Sequence, residues 1–102
     1  MEETVLCQRI RDSLVDRGEL VEGSFLGGKS FWLDDRFAIA LHGEDVLVKV
    51  PDSEYRTLMD RSAARPYEFA ARPVPNWVLY AGDAVDDDAL AELVQLGLAA
   101  ST

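Results

Sequence analysis

The chain has 102 residues, 48% of them apolar, and carries 19 acidic against 10 basic residues for a net charge of -9. That length suits one domain spanning residues 1–102 with one core, and the acidic balance sets most of the surface against a polyanion such as DNA. The single cysteine, Cys7, excludes an internal disulfide; no apolar run approaches the roughly 18 residues of a membrane span, and the acidic start MEETVLCQ lacks the order of a secretory signal. A cytoplasmic protein with no membrane partner is the expectation.

Leu6, Ile10 and Leu14 recur at helical spacing, so Glu3 to Arg17 reads as a helix with Thr4 as a cap and Gly18 as its stop. Cys7 falls beside that stripe as a small core residue. Leu20 to Val50 reads as an antiparallel meander. The pair Gly27-Gly28 inside a strand pattern predicts a bulge or a close backbone approach. Asp34-Asp35 is a tight-turn signal. Strict alternation puts Phe37, Ile39 and Leu41 on one face and Ala38, Ala40 and His42 on the other.

Pro51 closes the strand Val46 to Val50, and Asp52 or Ser53 is the expected cap of a short helix whose contacts are Tyr55, Leu58 and Met59. A short strand follows at Tyr67-Glu68-Phe69, after Arg65-Pro66. Arg72 to Asn76 then reads as a stiff connection, and Trp77 to Tyr80 as the last strand. Asp86, Asp87 and Asp88 open the final helix, where acids favour the dipole. Gly97 on its apolar stripe predicts close packing against the sheet. The fold class is α+β, in the order helix, three strands, helix, two strands, helix, with an antiparallel sheet and helices packed on it.

One motif invites an enzymatic reading. Gly23-Ser24-Phe25-Leu26-Gly27-Gly28-Lys29-Ser30 matches the Walker A pattern, and Asp83 after the apolar Trp77 to Tyr80 imitates a Walker B. A phosphate cradle needs a helix starting at the lysine, so that its N–H groups face the phosphates. Phe31-Trp32-Leu33 and the Asp34-Asp35 turn follow instead, so the match reads as chance. With His42 the only histidine, triads and multi-histidine metal sites lack parts. Consecutive acids at Asp86 to Asp88 point in different directions. No catalytic set, cofactor or metal site is expected.

The remaining candidates are surface residues. Lys49 is a charge within a strand of valines. It either faces solvent beside Leu47 or lies along a groove with its stem buried. Trp32 and Trp77 lie near strand ends, as core residues or as anchors for a partner. Arg56, Arg61, Arg65 and Arg72 form the one local run of basic residues.

From Ala64 to Tyr80, ARPYEFAARPVPNWVLY, the sequence resembles the TfoX N-terminal-domain family, with its Arg-Pro-aromatic-x-aromatic run, second Arg-Pro and closing tryptophan. Gly27-Gly28, Phe31 to Ala38 and Leu47 to Val50 are similar to the family's glycine pair, its strand-turn-strand and its apolar-Lys-Val strand. Leu26, Asp35 and Asn76 depart from the pattern. Asn76 stands where a glycine precedes the tryptophan, and asparagine also tolerates positive φ. The resemblance implies the same helix and strand order, a relation to YjbR-like and secretion-chaperone-like architectures, and no catalytic residues. Longer members act with a cyclic-AMP-responsive transcription factor through a further C-terminal domain, for which 102 residues leave no room.

The expected function is therefore that of a non-enzymatic, regulatory protein-interaction module, with Trp32, Lys49, Arg65, Arg72 and Trp77 as the candidate partner or groove surface. The partner is an unidentified protein, and a free sheet face or edge leaves room for a homodimer. The alternatives are a DNA-binding, competence-type regulator using the four arginines, and a small-ligand-binding protein with a pocket near Lys49 and Trp77.

Overall fold

Apolar side chains at helical spacing make Val5–Leu14 helix α1, which buries Cys7, Ile10 and Leu14 on one face. The remaining elements are β1 (Leu20–Phe25), β2 (Gly28–Leu33), β3 (Arg36–His42), β4 (Asp45–Lys49), α2 (Asp52–Met59), β5 (Ala64–Phe69), β6 (Arg72–Tyr80) and α3 (Asp87–Ala100), with a short 3-10 turn at Gly82–Ala84. The computed structural model describes residues 5–25 and 28–101. Glu2, Glu3, Thr4, Leu26 and Gly27, and the expectations that fall on them, lie outside these residues.

The fold is α+β, with one antiparallel sheet in the order β1-β2-β3-β4-β6-β5. Helices α1, α2 and α3 share a core with one face of it: Ile10, Leu58 and Leu93 pack with Phe31, Val48 and Val78. Leu47 and Leu79, alternating with those residues along β4 and β6, point to the other face with Phe37, Ala40 and Tyr67. Among the described residues no helical side chain belongs to this second cluster; Trp32, Val74 and Trp77 pack against it.

Four strands, not three, precede α2. The stretch Leu20 to Leu33, read as one strand kinked at its glycines, is a hairpin in which Phe25 pairs with Gly28. The close backbone approach expected of the glycine pair is present at Gly28, where a Cβ would lie 1.8 Å from the Leu41 carbonyl oxygen.

The bulge lies on β3. Phe31 pairs with Ile39 and Trp32 with Phe37, leaving Ala38 as the extra residue. The expected alternation fails there: Ile39 and Leu41 face the helices, whereas Phe37 turns to the opposite face with Ala40.

Two further corrections concern turns. Arg72 to Asn76 is strand, not a connection. Pro73 and Pro75 are tolerated because β6 pairs with β4 only over Trp77 to Tyr80. The connection is Ala70-Ala71, both residues in the left-handed region at φ 54° and 64°. Neither Asp52 nor Ser53 caps α2. Pro51, extended at φ -62°, ψ 150°, occupies the N-cap, and the Asp52 carboxylate accepts from Asn76 Nδ2 instead.

Local signals elsewhere match the structure. Asp34 and Asp35 form the β2–β3 turn at φ 51° and 67°, and Asn76 takes φ 68°. Asp34 Oδ1 also accepts from the Glu19 backbone N–H at 2.9 Å, tying the turn to the start of β1. Asp86 caps α3 by accepting from the Ala89 N–H at 2.8 Å.

Candidate functional site

Cross-strand pairing places Lys49 of β4 opposite Trp77 of β6, and Trp32 of β2 opposite Phe37 of β3. Because the bulge turns Phe37 to this face, the three aromatics form a row. The Trp32 and Phe37 centroids are 5.3 Å apart with planes at 74°, and Phe37 and Trp77 are 5.5 Å apart at 51°. Edge and tilted contacts of this kind suit the ring quadrupoles. Trp32 is fixed by a hydrogen bond from its Nε1–H to the buried Ser30 Oγ at 3.1 Å.

The row forms one wall of an open cleft of about 420 Å³, lined also by Asp35, Arg36, Lys49, Ala100 and Ser101. The far rim is the end of α3, held by Ser101, whose Oγ–H is within reach of the Phe37 carbonyl at 2.8 Å and the Gly97 carbonyl at 3.1 Å. The chain has only two tryptophans, and both lie here. Lys49 is exposed and lines the cleft.

Arg65 and Arg72 are not part of this arrangement. Arg65 bonds the Asp45 carboxylate at 2.5 Å, and Arg72 lies at the exposed end of the β5–β6 hairpin, paired with Phe69. Four strand positions separate Arg65 from Phe69, roughly 13 Å at the usual rise per residue. Arg61 makes a bidentate pair with Glu92 on α3, both contacts at 2.6 Å. This contact raises the arginine pKa and lowers that of Glu92. The four arginines of the basic run therefore do not converge, and two of them are already held by carboxylates.

Sequence reasoning missed Arg36, Phe37, Asp35 and the α3 end as neighbours of Lys49. A two-residue turn at Asp34-Asp35 did signal that Arg36 begins β3. Nothing signalled the bulge that brings Phe37 across.

The Walker-like segment has neither the helix nor the free lysine its chemistry needs. Lys29 and Ser30 are in strand β2, Lys29 Nζ lies 3.1 Å from Glu22, and β2 is separated from β6 by β3 and β4. Glu22 also takes a bidentate contact from Arg11 at 2.6 and 2.8 Å. That hydrogen bonding, with help from Lys29, lowers its pKa to about 2.

Among the described residues no cluster of three or more histidine, cysteine or acidic side chains could hold a metal ion. No helix among them is long and apolar enough to cross a membrane. A second cleft of about 360 Å³ lies between α1 and α3, lined by Arg9, Ser13, Leu90 and Val94 among others.

No family model, curated protein or solved structure matches this chain.

Proposed function

We propose that this domain is a non-enzymatic interaction module of the regulatory kind, and that it docks a protein partner in the cleft between the aromatic row of the sheet and the end of α3. One observation carries the reading: the half-buried Trp32 and Trp77 flank the buried Phe37 in an aromatic row on the wall of an open cleft, beside Lys49. Aromatic side chains that are neither sealed in a core nor dispersed are the usual anchors of protein interfaces. A cytoplasmic setting is part of the proposal, supported by the use of a single, buried cysteine, Cys7, in place of a disulfide framework. So is kinship with the TfoX N-terminal-domain family, supported by the ordered series of motifs from Gly27 to Tyr80.

Site-specific photocrosslinking in the native host tests the docking face. A photoreactive residue at Ser101, on the cleft rim, is expected to give one discrete adduct that Trp77→Ala removes. The same residue at Gln95, exposed on α3, is expected to give none. Equal labelling from both positions, or no adduct from either, counts against the reading.

A further inference from the structure

We propose that the cleft receives an acidic segment of the partner protein, with an aromatic side chain seated among Trp32, Phe37 and Trp77 and its flanking carboxylates on Arg36 and Lys49. The proposal rests on the docking reading above and names the chemistry of the partner.

Charge pairing is the first observation. Carboxylates outnumber cations 19 to 10, and among the described residues five of the ten basic side chains, Arg9, Arg11, Lys29, Arg61 and Arg65, are held in ion pairs. Of the other five, Arg17, Arg56 and Arg72 lie outside this cleft. Arg36 and Lys49 line the same cleft, and among the described residues neither makes an ion pair or a side-chain hydrogen bond. Asp35 is the single carboxylate in the lining. The cleft is thus a cationic spot in an acidic molecule.

A structural role for the two cations is to offset the negative end of α3, which has no basic residue in its last turn. Two of its final carbonyls are already engaged, Gly97 by Ser101 Oγ and Leu98 by the Ser101 N–H. The helix end carries roughly half an elementary charge, confined to the last turn. With Asp35 counted against them, the two cations still exceed the helix end by about half a charge, a small net attraction for an anion.

The overall charge of -9 does not reverse this. The molecule measures 31 × 30 × 25 Å, whereas charges beyond a Debye length of about 8 Å are largely screened at physiological salt. Side chains in contact with the ligand decide the sign.

The aromatic geometry selects a side chain over a run of bases. Rings inclined at 74° and 51°, with Phe37 buried between Trp32 and Trp77, do not form the parallel platform on which successive bases stack. A volume of about 420 Å³, near the low end for ligand sites, takes one ring with its flanking groups. The cleft is open, so the partner chain can continue beyond it.

Trp32 and Trp77 make intrinsic fluorescence a direct report of occupancy. The probes are four: a short blocked peptide with phenylalanine between aspartates and glutamates, its asparagine and glutamine counterpart, the acidic peptide with alanine for phenylalanine, and oligothymidylate. The acidic phenylalanine peptide is expected to shift the emission and to bind at least about tenfold more tightly than either peptide control. Arg36→Glu and Lys49→Glu are each expected to weaken it by about tenfold or more, while Arg56→Glu, on α2 outside the cleft, leaves it unchanged.

Equal binding of the amide peptide overturns the charge assignment and leaves the docking face standing. Preferential binding of oligothymidylate overturns the peptide in favour of single-stranded nucleic acid. No response to any peptide overturns the acidic segment, and the docking reading then depends on the crosslinking result alone.

Discussion

Gly97 of α3 lies against the backbone of Ala38, where a Cβ on the glycine would come within 1.9 Å of the Ala38 carbonyl oxygen. The bulge on β3 and the absent side chain on α3 fit each other. Gly97→Ala gains about 1 kcal/mol of helix propensity. It loses more, because the obstacle is backbone that cannot rotate away. A net destabilisation of about 2 kcal/mol or more is expected from such overpacking. Urea unfolding followed by circular dichroism measures it, and a stability equal to or above wild type would show that α3 can move off the sheet at no cost.

The Ala70-Ala71 turn holds two L-residues at positive φ, 54° and 64°. That is the geometry of a type I′ hairpin turn, which favours asparagine followed by glycine. Each alanine there carries a steric cost of about 1 kcal/mol, partly offset on substitution by the greater freedom of glycine in the unfolded chain. Ala70→Asn with Ala71→Gly is therefore expected to stabilise the domain by about 1 kcal/mol, a rise in Tm of about 4–8 °C for a chain of this size. Thermal melting checks it, and an unchanged or lower Tm would mean that the turn is not strained.

These two sites show what the sequence made legible. The Gly97 contact was readable because a glycine on an apolar helical stripe has few other uses. Asp86 and Asn76 were readable because capping and positive φ each have a residue preference. The Ala70-Ala71 turn carries no such preference, and two prolines beside it argued for a connection where β6 runs. The bulge at Ala38 has no composition signal at all, since Phe37 to Leu41 alternates as well as any regular strand. Trp32, Lys49 and Trp77 could thus be named in advance as surface candidates, but not Phe37, whose face depends on one unpaired residue. Arg65 and Arg72 were grouped by nearness in sequence, and the hairpin separates them.

The Asp86 cap gives a direct test of the α3 start. Its carboxylate accepts from the Ala89 N–H at 2.8 Å, satisfying a donor with no partner inside the helix. Asp86→Ala is expected to cost about 1 kcal/mol and Asp86→Ser much less. Comparable losses for both, read from urea midpoints, would place the effect in charge and not in the cap.

Asn76 combines two constraints. Its φ of 68° favours asparagine or glycine, and its Nδ2 donates to the Asp52 carboxylate at the start of α2. Asn76→Gly keeps the backbone and drops the side-chain bond, so a loss of about 1 kcal/mol or less is expected. Asn76→Ala drops the bond and adds the left-handed cost of about 1–2 kcal/mol. Asn76→Ala should therefore be the less stable of the two by about 1 kcal/mol, and equal unfolding midpoints would remove the backbone argument.

Glu22 makes the folded state sensitive to acid. Hydrogen bonding from Arg11 first, and then from Lys29, lowers its pKa from 4.5 to about 2. A carboxyl held low in the folded state contributes its full stability above the unfolded value and loses it as pH falls through the folded one. The window is therefore from pH 4.5 down to about 2. Glu22 is partly open to solvent, at 26% of its side chain, so screening reduces the contribution to about 1 kcal/mol. Arg61 lowers Glu92 on α3 in the same direction. Glu22→Gln should be less stable than wild type at pH 6 by about that amount, and the difference should shrink to a small remainder as pH falls to 2, where the Glu22 carboxyl is about half protonated. Urea midpoints measured between pH 2 and 6 decide it. A difference that stays constant across that range would show that Arg11 and Lys29 hold the uncharged side chain as well as the carboxylate, and that protonation of Glu22 is not what weakens the fold in acid.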